Sequence, residues 1–271
     1  MESGSDLVVG ADGAWSKVRH ILCPIPPFYA GVSGFEFWIP NLEATDPDIG
    51  RLIGNGSYYA YGDEEQKVLM MQRQGNRSVR VYAYMVQPEA WSKEMGVSIA
   101  DNAAVKTYLL REYDCWCPEL KRLLGHCRDG IFIRQLYSLP VGLRWPHKTG
   151  FTVVGDAAHL MSPFSGEGVN TALHDSLELV QCIIASKGVL DKAVRVYERR
   201  MFKRAEVVQK VSWEGLLYTF DVGGAMHLSD RIGFLTEMRR RGIPVTDNGL
   251  GSDGTADLKV NAEPEFMVKA S

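Results

Sequence analysis

The stretch that most constrains the fold runs from Phe151 to Asn170. Phe151, Thr152, Val153 and Val154 make a short apolar run that stops at Gly155 and Asp156, and Pro163, Gly166 and Gly168 then lead into a helical pattern. A brief β-branched run bounded by glycine predicts a strand buried on both faces, as in parallel sheets. Open α/β sheets bind ligands outside the carboxyl ends of such strands. The chain therefore delivers the Asp156 carboxylate to a ligand-facing edge, and the unpaired amides of the helix entered at Gly166, Gly168, Val169 and Asn170 point back toward it. His159 lies in the intervening turn.

A second strand, turn and helix occur near the start, with Asp6 to Gly10 as the strand, Ala11, Asp12 and Gly13 as the turn, and a helix over 15–22 carrying Arg19. Taken alone this pattern is common in α/β proteins. A parallel strand needs neighbours on both edges and both faces, ordinarily supplied by a preceding βαβ unit. The expectation is an incomplete α/β layer.

Between the two motifs the chain is rich in strands, predicted over 34–39, 57–61, 68–73, 78–86 and 130–138, with helices over 99–111 and 118–125. In the fourth strand Val79, Val81, Ala83 and Met85 alternate with Arg80, Tyr82 and Tyr84. One face is apolar and the other carries phenols and a guanidinium, a surface suited either to structure or to a planar aromatic ligand. Downstream, a helix over 167–186 places Val169, Ala172, Leu173, Leu177, Val180 and Ile184 on one side. A second runs from Asp191, as its N-cap, to about 220, a third spans 228–241, and a polar tail follows 245.

Composition narrows the function classes. A net charge of -3 provides no cationic field for nucleic acid or an anionic membrane. Five cysteines, with no paired CxxC, point to reduced thiols rather than a disulfide framework or a metal site. Met1 is followed by Glu2, Ser3 and Asp6 rather than by a basic and apolar leader, and no apolar run approaches membrane-spanning length. The expectation is a cytoplasmic protein with no metal.

Both motifs resemble the two downstream fingerprints of the para-hydroxybenzoate hydroxylase group of flavoprotein monooxygenases. The chain between them is most similar to the tetracycline-inactivating and fungal secondary-metabolism branches. The resemblance implies an α+β chain: a partial FAD-binding domain (1–29 and 139–222), an inserted mixed β-sheet substrate domain (30–138), a C-terminal helix (223–245) and a flexible tail (246–271). It implies that Asp12, Arg19, Gly155, Asp156, Pro163, Gly166, Gly168, Val169 and Asn170 bind FAD, and that NAD(P)H and O2 serve to hydroxylate or epoxidise a hydrophobic aromatic or polycyclic metabolite. His159, Pro163, Tyr82 and Arg80 are the candidates for catalytic positions.

The family's opening strand, GxGxxG and helix do not occur in these residues. Gly54 and Gly56 continue into Ser57, Tyr58 and Tyr59, and Gly166 and Gly168 into Val169, Asn170 and Thr171. The flavin site is thus expected to be incomplete, or completed by a second chain or a homo-oligomer. Two other readings stay open. One is a flavin-free homologue catalysing a redox-neutral cyclisation, rearrangement or isomerisation through His159, Asp156, Glu167 or a sheet tyrosine. The other is a non-catalytic binding protein.

Overall fold

The computed structural model describes residues 4–62, 66–128 and 130–221. The expected helix over 228–241 and the tail lie outside the described residues. In chain order the elements are β1 (Val8–Gly10), α1 (Lys17–Leu22), β2 (Phe28–Ile39), α2 (Leu42–Thr45), α3 (Pro47–Ile53), β3 (Ser57–Gly62), β4 (Lys67–Arg73), β5 (Val79–Val86), α4 (Trp91–Glu94), α5 (Asn102–Glu112), α6 (Pro118–Gly125), β6 (Phe132–Ser138), β7 (Phe151–Val153), α7 (Asp156–His159), a 3-10 turn (Pro163–Ser165), α8 (Gly168–Ala185) and α9 (Leu190–Phe220).

β1 pairs in parallel with β7, in register from Val8 with Phe151 to Gly10 with Val153. Gly10 is required there, because a Cβ would sit 2.6 Å from Val18 of α1 and 2.8 Å from Val153. The expected parallel layer is present as this pair. The larger sheet, expected to be mixed, is antiparallel in every pairing, with strand order β3-β4-β5-β2-β6. β3, β4 and β5 follow one another through short connections, whereas β2 lies between β5 and β6, and the chain passes from β5 to β6 by way of α4, α5 and α6.

β2 begins six residues earlier than the sequence predicts. A register shift against β6 falls between Tyr29 and Ser33, and Gly31 there adopts φ 84°. Such a bulge turns the side-chain alternation out of phase, which hides the first half of the strand from a period-two reading. α2 and α3 were not expected. α2 starts from Asn41 in the left-handed region, and α3 is set by Asp46, whose carboxylate accepts from the Ile49 amide, and by Pro47 at the first helical position.

The sheet's two faces do different work. Phe35, Phe37, Leu69, Val81 and Met85 on one face meet Leu109, Leu123 and Leu124 of α5 and α6 in the largest core. Each fully buried side chain of this size contributes about 1.5–3 kcal/mol. The other face carries Tyr59, Tyr61, Met70, Tyr82 and Tyr84, and is touched at one end by Phe164 of the 3-10 turn and by Leu216 and Phe220 of α9.

α8 departs from ordinary amphipathic packing. The stripe of Val169, Leu173, Leu177, Val180 and Ile184 falls on one side, as its spacing requires, yet Val169 is 74% and Ile184 72% exposed. The buried side instead holds Thr171, Asp175, Glu178, Leu179 and Cys182. It is buried because Arg204 of α9 pairs with both carboxylates, at 2.8 Å to Asp175 and 2.7 Å to Glu178. Asp191, expected to cap α9, lies inside its first turn, and Val189 occupies the cap.

Candidate active site

The site begins at the end of β7. Gly155 adopts φ 62° and ψ -141°, a conformation confined in practice to glycine, and a Cβ there would stand 3.1 Å from that of Ala172. This lets the strand turn sharply into α7, so that Asp156 projects outward while Ala157, Ala158 and His159 are buried.

The turn is fixed from behind. Asp175 of α8 accepts hydrogen bonds from the Gly155 amide at 2.9 Å and from His159 Nε2 at 2.6 Å. Arg19 donates to the Ala157 carbonyl at 3.0 Å and the Ala14 carbonyl at 2.7 Å, which ties the β1 turn to the β7 turn. His159 is 2% exposed and is not among the residues that line the cavity described below. Its Nε2 is committed to Asp175, which positions the turn.

The next turn is anchored on the sheet and on α9. Phe164 packs edge-on against Tyr84, with ring centres 6.5 Å apart, and against Phe220 at 5.5 Å. Ser162 and Ser212 exchange hydrogen bonds, each hydroxyl donating to the other's carbonyl, at 3.0 and 2.6 Å. Gly215 permits this contact, since a Cβ would lie 3.0 Å from the Phe164 carbonyl. Pro163 and Gly166, the latter with φ 72°, are thereby held at the mouth of α8, whose N-cap residue Glu167 makes no side-chain cap. Helix amides in that position are donors available to a negatively charged group.

A cavity of about 480 Å³ separates these turns from the sheet. Asp156, Met161, Ser162, Pro163, Gly166, Gly168 and Val169 line one side, and Ser57, Tyr59, Met70, Gln72, Tyr82, Tyr84 and Leu136 the other. Of the residues singled out in the sequence, the structure brings Asp156, Pro163, Gly166, Gly168, Val169 and Tyr82 together here. Gly155 lies directly behind Asp156. Asn170 reaches back to Glu167, and Asp12 accepts the Lys17 amide at 2.8 Å beside the start of α1, whose cap is Ser16.

Arg80 stands beside this cavity rather than in its lining. It and Arg134 both close on the buried carboxylate of Glu36, and its guanidinium lies over Trp38 at 4.9 Å and Tyr82 at 5.2 Å. Burial raises the Tyr82 and Tyr84 phenols above their ordinary range and pushes Tyr61 up to about 12. The wall therefore presents neutral hydroxyls. Among the described residues no cluster of His, Cys, Asp or Glu could hold a metal, and no helix is long and apolar enough to cross a membrane.

This arrangement of two turns against a tyrosine-faced sheet can be set beside known proteins. An FAD binding domain model matches residues 146–207, the segment that holds both turns, α8 and the start of α9. The chain is 30% identical to monooxygenase penA of Penicillium thymicola over 83% of its own length and 62% of that protein's. It is likewise 30% identical to monooxygenase asqM of Emericella nidulans, over 79% of this chain and 59% of the other. The chain resembles FAD-dependent monooxygenases over most of its length. It spans about three-fifths of the length of these curated relatives. The fold agrees with that of Klebsiella pneumoniae HpxO complexed with FAD and uric acid, with TM-score 0.64 at 20% identity over 87% of this chain and 56% of that one.

Sequence reasoning missed Met70 and Gln72 and favoured a structural role for Tyr59, and it missed Phe164 and the bracing role of Arg204. Strand pairing alone reveals the first three, because it sets β4 between two tyrosine-bearing strands. Asp175 closes the long motif in the sequence, but its partner Arg204 lies 29 residues further on and carries no local signal.

Proposed function

We propose that this chain contributes to inserting one oxygen atom from O2 into a hydrophobic aromatic or polycyclic metabolite, by hydroxylation or epoxidation, with FAD as cofactor and NAD(P)H as reductant. The observation that carries the reading is that the flavin motif and the tyrosine face line one cavity. The monooxygenase names of penA and asqM support it. The division into a flavin part, 1–29 with 139–222, and a substrate sheet, 30–138, belongs to the same proposal.

The donor set fits the ring and sugar-alcohol half of FAD. Asp156 is an exposed acceptor for chain hydroxyls, Pro163 offers a flat apolar contact, and the uncapped amides at Gly168 and Val169 suit a ring edge that gains negative charge. When bound, the flavin supplies the redox chemistry and the activation of O2. The chain's own part is to hold that edge, orient the substrate on the sheet, and keep water out through Phe164, Leu216 and Phe220. These 271 residues contain no GxGxxG, so the adenine half is assigned to a βαβ unit outside them, in the same protein or in a second chain. Of the acid and base candidates for the redox-neutral reading, His159 is buried outside the cavity lining, while Asp156 and the sheet tyrosines Tyr82 and Tyr84 line it.

The test is to titrate the protein with FAD and follow the visible spectrum, then to follow NAD(P)H oxidation with candidate aromatics under 18O2. Flavin bands, substrate-stimulated oxidation and one labelled oxygen in the product are expected. A folded protein that gives a product of unchanged mass without flavin would overturn the reading.

A further inference from the structure

The pairing register places three cross-strand rows on the sheet face turned to the flavin motif. Tyr59, Met70 and Tyr82 form one row, Tyr61, Val68 and Tyr84 the next, and Ser57, Gln72 and Arg80 the third. β4 thus becomes the floor of a groove walled by two columns of tyrosines. Within each column the rings are nearly parallel, 11° apart for Tyr59 and Tyr61 and 12° for Tyr82 and Tyr84.

Strand geometry sets the width. The walls stand on β3 and β5, two strand spacings apart, or about 9.5 Å. A flat ring with van der Waals contact on both sides needs roughly 7–8 Å between wall carbons, and two stacked rings need about 11 Å. The groove therefore admits one aromatic thickness. Its ends differ: Val68 is covered by Leu216 and Phe220, while Ser57 and Gln72 line the cavity's other end. Asp156 is the acidic side chain in the lining, and it stands on the wall facing the sheet. Arg80 is outside the lining and committed to Glu36.

Resting on the proposed function, we infer that the tyrosine-walled groove along β4 sets specificity, selecting an uncharged, planar, fused-ring molecule that lies lengthwise on Met70 with its polar substituent toward Gln72 and Ser57. Tyr59 and Tyr82 grip the ring faces, and the covered end at Val68 limits its length. An anionic ring would meet the Asp156 carboxylate.

Calorimetric titration of the protein with 2-naphthol, its saturated counterpart 2-decalol, and 2-naphthoate tests this directly. Naphthol is expected to bind at least tenfold more tightly than either of the others. Met70→Trp, which fills the floor, and Gln72→Trp, an exposed position that blocks the polar end, are each expected to weaken naphthol at least tenfold. Gln72→Trp leaves the core untouched, so its result stands even if Met70→Trp fails to fold. Equal binding of decalol and naphthol, tighter binding of naphthoate, or an unaffected Gln72→Trp variant would each overturn the inference. An FAD titration of the same proteins separates the two readings. Loss of flavin binding with naphthol selectivity intact sinks the proposed function alone, whereas flavin binding without that selectivity sinks the groove alone.

Discussion

Asp175 on α8 holds His159 through a 2.6 Å hydrogen bond, and the same oxygen takes the Gly155 amide, so one buried carboxylate fixes both ends of the turn that presents Asp156. Burial pushes the Asp175 carboxyl up, but His159, Arg204 and the Gly155 amide outweigh this and hold it below its ordinary range. Asp175→Ala strips a partner from the Arg204 guanidinium and orphans His159. The expected loss is about 3–5 kcal/mol, read from the urea midpoint. An unchanged midpoint would show that the network does not brace the turn.

Asp156 has the opposite character, exposed and without a structural duty. Asp156→Ala is expected to leave the melting temperature within a degree or two while weakening FAD by roughly 10–100-fold, the worth of one or two charge-assisted hydrogen bonds. Equal affinities of the two proteins for FAD would remove Asp156 from the cofactor site.

Much of this site is written locally and some of it is not. The turn at Gly155 and Asp156 is legible because glycine, strand and helix signals fall within a few residues. α6 matches its expected bounds because Pro118 marks its start. β2 is concealed by its bulge at Gly31, and the groove over Met70 arises only when β3, β4 and β5 pair. α8 is the instructive case: its period was read correctly, but the side it buries depends on Arg204, a residue of another helix. Spacing tells which residues share a face. The partner tells which face is covered.

His147 offers a pH probe of the same layer. It sits between Asp191 at 2.8 Å and Glu198 at 3.0 Å, and Glu198 also accepts from Trp145 and Thr152 at 3.2 Å. Burial lowers the imidazole's affinity for a proton and Arg195 opposes protonation, but the two carboxylates outweigh both and raise it above 6.5. A raised histidine contributes stability that is complete below its unfolded value of about 6.5 and is lost as pH climbs through the folded one. Urea midpoints are therefore expected to fall between pH 6 and 8.5, and His147→Gln should flatten that decline. A wild-type profile that rises across this window would contradict the clamp.

The exposed stripe on α8 leads to the last expectation. Leu173 and Leu177 lie at its centre, each more than half exposed, and Val8 and Val9 of β1 are also open to solvent on a strand whose other edge is unpaired among the described residues. An exposed apolar stripe and an open strand edge are each features that mark an interaction site. The 271-residue chain in isolation is expected to self-associate, and Leu173→Glu with Leu177→Lys should shift it toward monomer in light scattering after gel filtration. Because both side chains touch solvent rather than core, the melting temperature should hold, as surface changes ordinarily cost within about 0.5 kcal/mol. If association persists in the double variant, the open β1 edge, which the substitutions leave intact, is the surface that drives it, and a proline at Val9 would be the change that breaks it.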